Sequence, residues 1–330
     1  MKKFIICGDL HFRSEKPRNR KDNFEEAMVQ KLKEVFGLAY ELSADVIIPG
    51  DIFDTANVSL KTIAELGSII SESGVQVLAI SGNHDLPAGN KAALARTPFG
   101  LLEKLGIVWN IEDECFEIFN MGDLRIYVTG CGFDFQTDTP EGMKQFKSDD
   151  ASDEDELSIH VVHSMLLAAS PSFPMRHTII DQVETDADII ISGHYHEGFG
   201  IHRRKDGKLF INPGALCRLS ASEAEMKRTV QVALLTIRSK TDFDAELIPL
   251  QSARPAEEVL DREAIVDKKE HDNWLESFFE SLSHEGEAKF MEVREIVDNI
   301  ASRENVKPEV KDEALRRIGD AREKLGRVAV

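Results

Sequence analysis

Phe4-Ile5-Ile6-Cys7-Gly8-Asp9-Leu10-His11 decides how this chain is read. Four apolar, strand-forming residues run into a glycine, and a carboxylate and an imidazole follow at once. A short apolar run closed by a turn residue marks a buried strand. The loops beyond strand ends are where α/β folds build their active sites. The same construction returns along the chain: residues 46–49 lead into Gly50-Asp51-Ile52-Phe53-Asp54, 75–80 into Gly82-Asn83-His84-Asp85, and 188–192 into Gly193-His194-Tyr195-His196. His163 ends a further run at 158–163. Glycine ahead of the polar group lets the backbone turn sharply and bring a side chain to a buried centre.

Helical patterns separate these strands, which predicts an α/β layered domain. The clearest helix starts from Asp22 as its N-cap and repeats Phe24, Met28, Leu32, Val35, Phe36, Ala39 and Leu42 every three or four positions. From 229 to about 249 the chain reads as alternating strands, with a hairpin turn at Lys205-Asp206-Gly207-Lys208 before them. After Gln251 the strand signal stops. Apolar stripes at Leu275, Phe278, Phe279 and Leu282, at Val297 and Ile300, and at Leu315, Ile318 and Leu325 predict a helical C-terminal region over 251–330, set apart from a domain over 1–250.

Composition narrows the classes. The chain has 330 residues, 42% of them hydrophobic and 30% charged, an ordinary globular balance. No apolar run approaches the ~18 residues a membrane span needs, and the N-terminal apolar stretch is too short for a signal peptide, so a cytoplasmic protein is expected. The four cysteines show no CxxC spacing, which argues against a thiolate zinc site. Net charge is −19, yet the loop over 13–21 gathers Arg13, Lys16, Arg18, Arg20 and Lys21. That loop, with Arg203 and Arg204, offers a cationic rim for a phosphate backbone. The acidic run at 149–156 reads as a solvated loop.

Asp9, His11, Asp51, Asn83, His163, His194 and His196 are seven oxygen and imidazole donors without a cysteine, too many for one ion and suited to Mn²⁺, Fe or Zn²⁺. Two divalent ions sharing a carboxylate can act together on a phosphoryl group. His160 lies three residues before His163, on the opposite face of the same strand, and is the weaker candidate. In order, the motifs read DxH, GDxxD, GNHD, a lone His and GHxH, and this pattern resembles the calcineurin-like metallophosphoesterases over roughly residues 1–250. Within that group it is most similar to SbcD-type nuclease subunits of double-strand-break repair, on Gly50-Asp51-Ile52-Phe53-Asp54-Thr55, Ile80-Ser81-Gly82-Asn83-His84-Asp85 and Asn212-Pro213-Gly214-Ala215.

The resemblance implies a β-sandwich flanked by helices, in α/β/β/α layers, with a C-terminal helical extension. It gives one metal to Asp9, His11 and His196 and the other to Asn83, His163 and His194, with Asp51 bridging. His84 is implied to protonate the departing oxygen or stabilise the transition state, and Asp54 to orient it. The implied activity is a Mn²⁺-dependent DNA exo- or endonuclease for repair or recombination, in which hydroxide on the metals attacks the phosphodiester. DNA and an SbcC-like coiled-coil ATPase are the implied partners; the C-terminal apolar stripes also allow a second copy of the chain, and no membrane is expected. Two rivals follow: the same chemistry on a small or cyclic nucleotide, and an inactive scaffold that would have eroded ligands.

Overall fold

The computed structural model describes residues 1–17, 19–112, 117–148, 156–171, 175–261, 307, 310 and 311. The chain divides into two compact units, Met1–Arg262 and Glu263–Val330. The C-terminal helical stripes lie outside the described residues.

In chain order the first unit runs β1 (Lys2–Ile6), α1 (Phe24–Leu42), β2 (Asp45–Ile48), α2 (Leu60–Ser73), β3 (Val77–Ala79), α3 (Pro98–Lys104), β4 (Trp109–Asn110), β5 (Glu117–Met121), β6 (Leu124–Cys131), β7 (Glu156–Ser164), β8 (Leu166–Leu167) and β9 (Thr178–Ile179). Then come β10 (Ile189–His194), β11 (Gly200–Arg203), β12 (Leu209–Asn212), α4 (Glu223–Lys227), β13 (Gln231–Ile237), β14 (Phe243–Pro249) and α5 (Ala256–Val259). Two six-stranded sheets form, ordered β14-β13-β1-β2-β3-β4 and β11-β12-β10-β7-β6-β5.

Period-two alternation explains how they stack. Phe4 and Ile6 point from β1 into the layer between the sheets, where they meet Ile126, Val128, Ile159, Val161, Ile189 and Ile191 of the second sheet. Their neighbours Ile5 and Cys7 point the other way, against Phe24, Met28, Leu32 and Val35 of α1. On the outer face of the second sheet, Val162, Ile190 and Phe210 pack with Phe146 and Ile180, which belong to the 3-10 turns Pro140–Phe146 and Ile180–Gln182. The architecture is therefore a mixed α/β sandwich of two sheets with helical segments outside.

Two local expectations change. The cap of α1 is Asn23, whose side chain accepts from the Glu26 N–H, because Asp22 is bound to Arg20. The first unit also runs past residue 250. Ala256, Val259 and Leu260 are 3%, 2% and 0% exposed. The Lys21 N–H donates to the Val259 carbonyl at 3.0 Å, and the Asp261 N–H to that of Asn19 at 3.0 Å.

A fragment ending at Gln251 therefore loses part of its core. Full burial of Val or Leu is worth about 1.5–3 kcal/mol each, so Val259 and Leu260 together contribute about 3–6 kcal/mol. In urea melts, the fragment 1–251 should unfold well below the midpoint of the fragment 1–262. Equal midpoints would show that α5 is an ornament. No helix among the described residues is long and apolar enough to cross a membrane.

Candidate metal centre

The donors converge where β1, β2, β3, β7 and β10 end. The β1 and β2 loops are locked together: the Leu10, His11 and Phe12 N–H groups donate to the carbonyls of Asp51, Asp51 and Ile52 at 3.0, 2.9 and 2.8 Å. A buried carboxylate absent from the expected site, Asp85, ties in the third loop by accepting from the N–H groups of Phe53 and Gly82 at 2.9 Å and Ile52 at 3.2 Å. The GNHD motif contains Asp85, but sequence alone gives it no partner. Burial and the nearby Asp51 charge push its pKa up to about 7.

Close approach explains the glycines that matter most here. Gly50 has φ +99°, and a Cβ there would lie 2.2 Å from His163 Nδ1. A Cβ at Gly82 would lie 2.1 Å from Asp51 Oδ1. His11, Asp51 and His194 themselves sit at φ 46°, 49° and 72°, in the left-handed region that residues with a Cβ rarely adopt. Such conformations persist where the surrounding structure forces them, and they gather at functional sites.

Two donor sets share one carboxylate. Asp9, His11, Asp51 and His196 offer ligand atoms within 4.8 Å of one another, and so do Asp51, His163 and His194. Asp51 Oδ2 lies 3.6 Å from His11 Nε2 and 3.4 Å from His163 Nε2. His196 Nε2 is 2.9 Å from His11 Nε2 and 3.5 Å from Asp9 Oδ2. Asn83 Oδ1 stands 3.0 Å from His163 Nε2, on the side of the second set.

Outer partners aim these groups. His163 Nδ1 lies 2.7 Å from the Pro49 carbonyl, which only accepts, so that nitrogen carries the proton and Nε2 faces the centre. The His194 N–H donates to Asp9 at 3.0 Å. His160, by contrast, is a satisfied core histidine, bonded to the Thr129 hydroxyl at 2.7 Å and the Gln145 carbonyl at 2.8 Å.

Asp54 behaves differently from the expectation that its carboxylate orients His84. His84 Nδ1 is 2.7 Å from the backbone carbonyl of Asp54. The carboxylate turns to Arg13, with which it pairs, and to His11 Nδ1 at 3.4 Å. It is thus placed to orient His11, while the chain itself orients His84.

The electrostatics ask for positive charge. Burial would raise the Asp51 pKa, but the His163 and His11 imidazoles hold it well below the carboxylate range. Burial opposes a proton on His163, yet Asp51 and Asp9 push its pKa up to about 10. Burial, then the neighbouring His163, lowers His194 to about 4, and burial, then His11, lowers His196 to about 3. Those two rings are neutral near pH 7, as metal ligands must be.

Asp51 Oδ2 is buried without a hydrogen-bond partner. An unpartnered, ionised, buried carboxylate oxygen costs several kcal/mol unless a cation meets it. Two divalent ions fit this chemistry, one at each donor set with Asp51 common to both.

The described arginines of the expected cationic rim are each bonded within the fold. Arg20 is 3% exposed, bound to Asp22 and to the Arg218 carbonyl. Arg13 pairs with Asp54 and lies over the Phe24 ring. Arg203 donates to the carbonyls of Gly207 and Phe243, and Arg204 to those of Ile180 and Val183 as well as to Asp206. Each guanidinium has a partner within the fold, which a run of basic letters cannot reveal. Lys21 is exposed, and Arg18 lies outside the described residues.

Among solved structures, the chain is similar to TT1561 of Thermus thermophilus, at 12% identity and TM-score 0.42 over 74% of this chain and 98% of that one. It is similar to a 5'-nucleotidase precursor of the same organism, at 11% identity and TM-score 0.41 over 77% and 56% of the two chains. A Haemophilus influenzae NAD nucleotidase matches at 13% identity and TM-score 0.41 over 75% and 49%. The chain spans about half the length of these two nucleotidases. No curated protein sequence matches it significantly. The model of the calcineurin-like phosphoesterases matches residues 2–198, and with the two donor sets joined at Asp51 in place, the chain belongs to that family of metal-dependent hydrolases.

Proposed function

We propose that this metallophosphoesterase is a phosphodiesterase acting on DNA, of the SbcD type. The observation that carries the two-metal chemistry is the orphaned Oδ2 of Asp51 at the meeting of both donor sets, beside a cavity of about 760 Å³ that Asp51, His84, His194 and His196 help to line. Asp9, His11 and His196 would hold one ion and Asn83, His163 and His194 the other. When bound, divalent ions, Mn²⁺ in this reading, neutralise charge on the phosphoryl oxygens and activate the attacking water. His84 faces the cavity with Nδ1 fixed by the Asp54 carbonyl, so its Nε2 is the atom available to protonate the departing oxygen. For DNA itself, the support is the set of SbcD-like motifs.

A second reading, a small nucleotide phosphodiester as substrate, is favoured by the arginines, which are engaged within the fold. The purified chain with Mn²⁺ should cut end-labelled DNA faster than a cyclic nucleotide, and a chromogenic phosphodiester should report the shared chemistry. Excess EDTA followed by dialysis should remove all of these activities, and full turnover after that treatment would sink the metal reading. Cyclic nucleotide hydrolysed with DNA left intact would favour the second reading.

The SbcC-like ATPase and self-association remain part of the proposal through residues 263–330. Co-purification of such an ATPase with the full chain but not with the fragment 1–262 is its test.

A further inference from the structure

Beyond the metal donors, the cavity is walled by apolar side chains, among them Met165, Leu167, Met175 and Phe199. Among the described residues, no Lys or Arg lines it. Its charged wall is acidic: Glu197, which accepts from the Tyr195 hydroxyl at 3.1 Å, and Glu225. Glu225 is 5% exposed. Its Oε1 accepts from Arg228 Nε at 2.8 Å, while Oε2 is buried with no hydrogen-bond partner.

Those features select against most parts of a phosphodiester. A second phosphate, or the paired strand of a duplex, would find no Lys or Arg among the described residues that line this wall. A sugar would offer little to methionine and phenylalanine faces. A nucleobase fits: its π-faces pack on thioether and aromatic groups.

We infer that this cavity is a base subsite, which takes the unpaired base of the nucleotide whose phosphate lies at the metal centre. The inference rests on the phosphodiesterase reading and sharpens it: the strand enters as a single nucleotide with its base out of the stack. Such extrusion is easiest at frayed or single-stranded positions.

Isothermal titration of the full chain with Mn²⁺ separates the possibilities. The probes are deoxyguanosine 5'-monophosphate and the base-free deoxyribose 5-phosphate. The nucleotide should bind at least roughly tenfold more tightly, the scale of stacking on one base. Met175→Asp, at a partly exposed loop position, should cut that ratio towards one. If the nucleotide binds no better than the sugar phosphate, or not at all, the base subsite is wrong. Hydrolysis of the chromogenic diester is scored separately. Turnover there without a base preference overturns the subsite alone, and a base preference with DNA uncut overturns DNA as substrate while the subsite stands.

Discussion

Asp51→Asn should strip both metal ions from the protein at once and stop turnover. Asp51 is the carboxylate common to the two donor sets, with Oδ2 3.4 Å from His163 Nε2 and 3.6 Å from His11 Nε2. Removing its charge leaves each ion with neutral imidazoles and, at the Asn83 side, no carboxylate. The Lewis-acid contribution of such ions is several kcal/mol, and about 4 kcal/mol is roughly 10³-fold in rate. Asparagine is the informative replacement. It keeps an Oδ1 to accept the His84 N–H, made at 2.8 Å in the native chain, and it tolerates the φ of 49° found at this position. The fold should therefore survive. Metal analysis after dialysis reads the result: two ions per native chain, close to none in Asp51→Asn, and one in His194→Ala, which lacks a donor of a single set. If Asp51→Asn retains one firmly bound ion, the carboxylate is not shared.

The donors were legible because their signal is local. A strand, a glycine and a polar residue need only a few consecutive letters, and the strands that carry them are neighbours, β1, β2 and β3 in one sheet and β7 and β10 in the other. The layered α/β class was legible for the same reason: Phe4 and Ile6 face one layer and Ile5 and Cys7 another, so an unbroken apolar run reports burial on both faces; the sandwich itself came from the family resemblance. What the sequence hid depends on partners far along the chain. Arg20 reads as part of a basic loop, but its guanidinium bonds a carbonyl 198 positions away. The end of the first unit at Arg262 is set by pairing between residues 19–21 and 259–261, and the four-residue helix involved has no periodicity to detect. The very short strands Trp109–Asn110 and Leu166–Leu167 exist only through their neighbours. Asp54 stands between the two cases. Its motif marks it as functional, while the direction its carboxylate takes is decided by Arg13 and His11.

His84→Ala should keep both ions and lose about 10²–10⁴ in turnover on DNA, the usual contribution of a general acid. The geometry separates this residue from the metal donors. His84 is exposed, it lines the cavity, and its Nδ1 is taken up by the Asp54 carbonyl, whereas His11 and His163 turn their Nε2 atoms inward on Asp51. Its backbone N–H bond to Asp51 Oδ1 survives truncation of the side chain. A proton donor matters in proportion to the basicity of what leaves. With a strongly basic alkoxide, as the departing sugar oxygen of DNA is, the full loss should be seen. With nitrophenolate, a weakly basic leaving group, the loss should shrink by at least roughly tenfold, because little negative charge needs a proton in the transition state. A purely electrostatic role, stabilising charge on the transferring phosphoryl group, would reduce both rates alike. Equal losses on the two substrates would therefore remove the proton-donor role, and missing metal in His84→Ala would place the residue among the ligands instead.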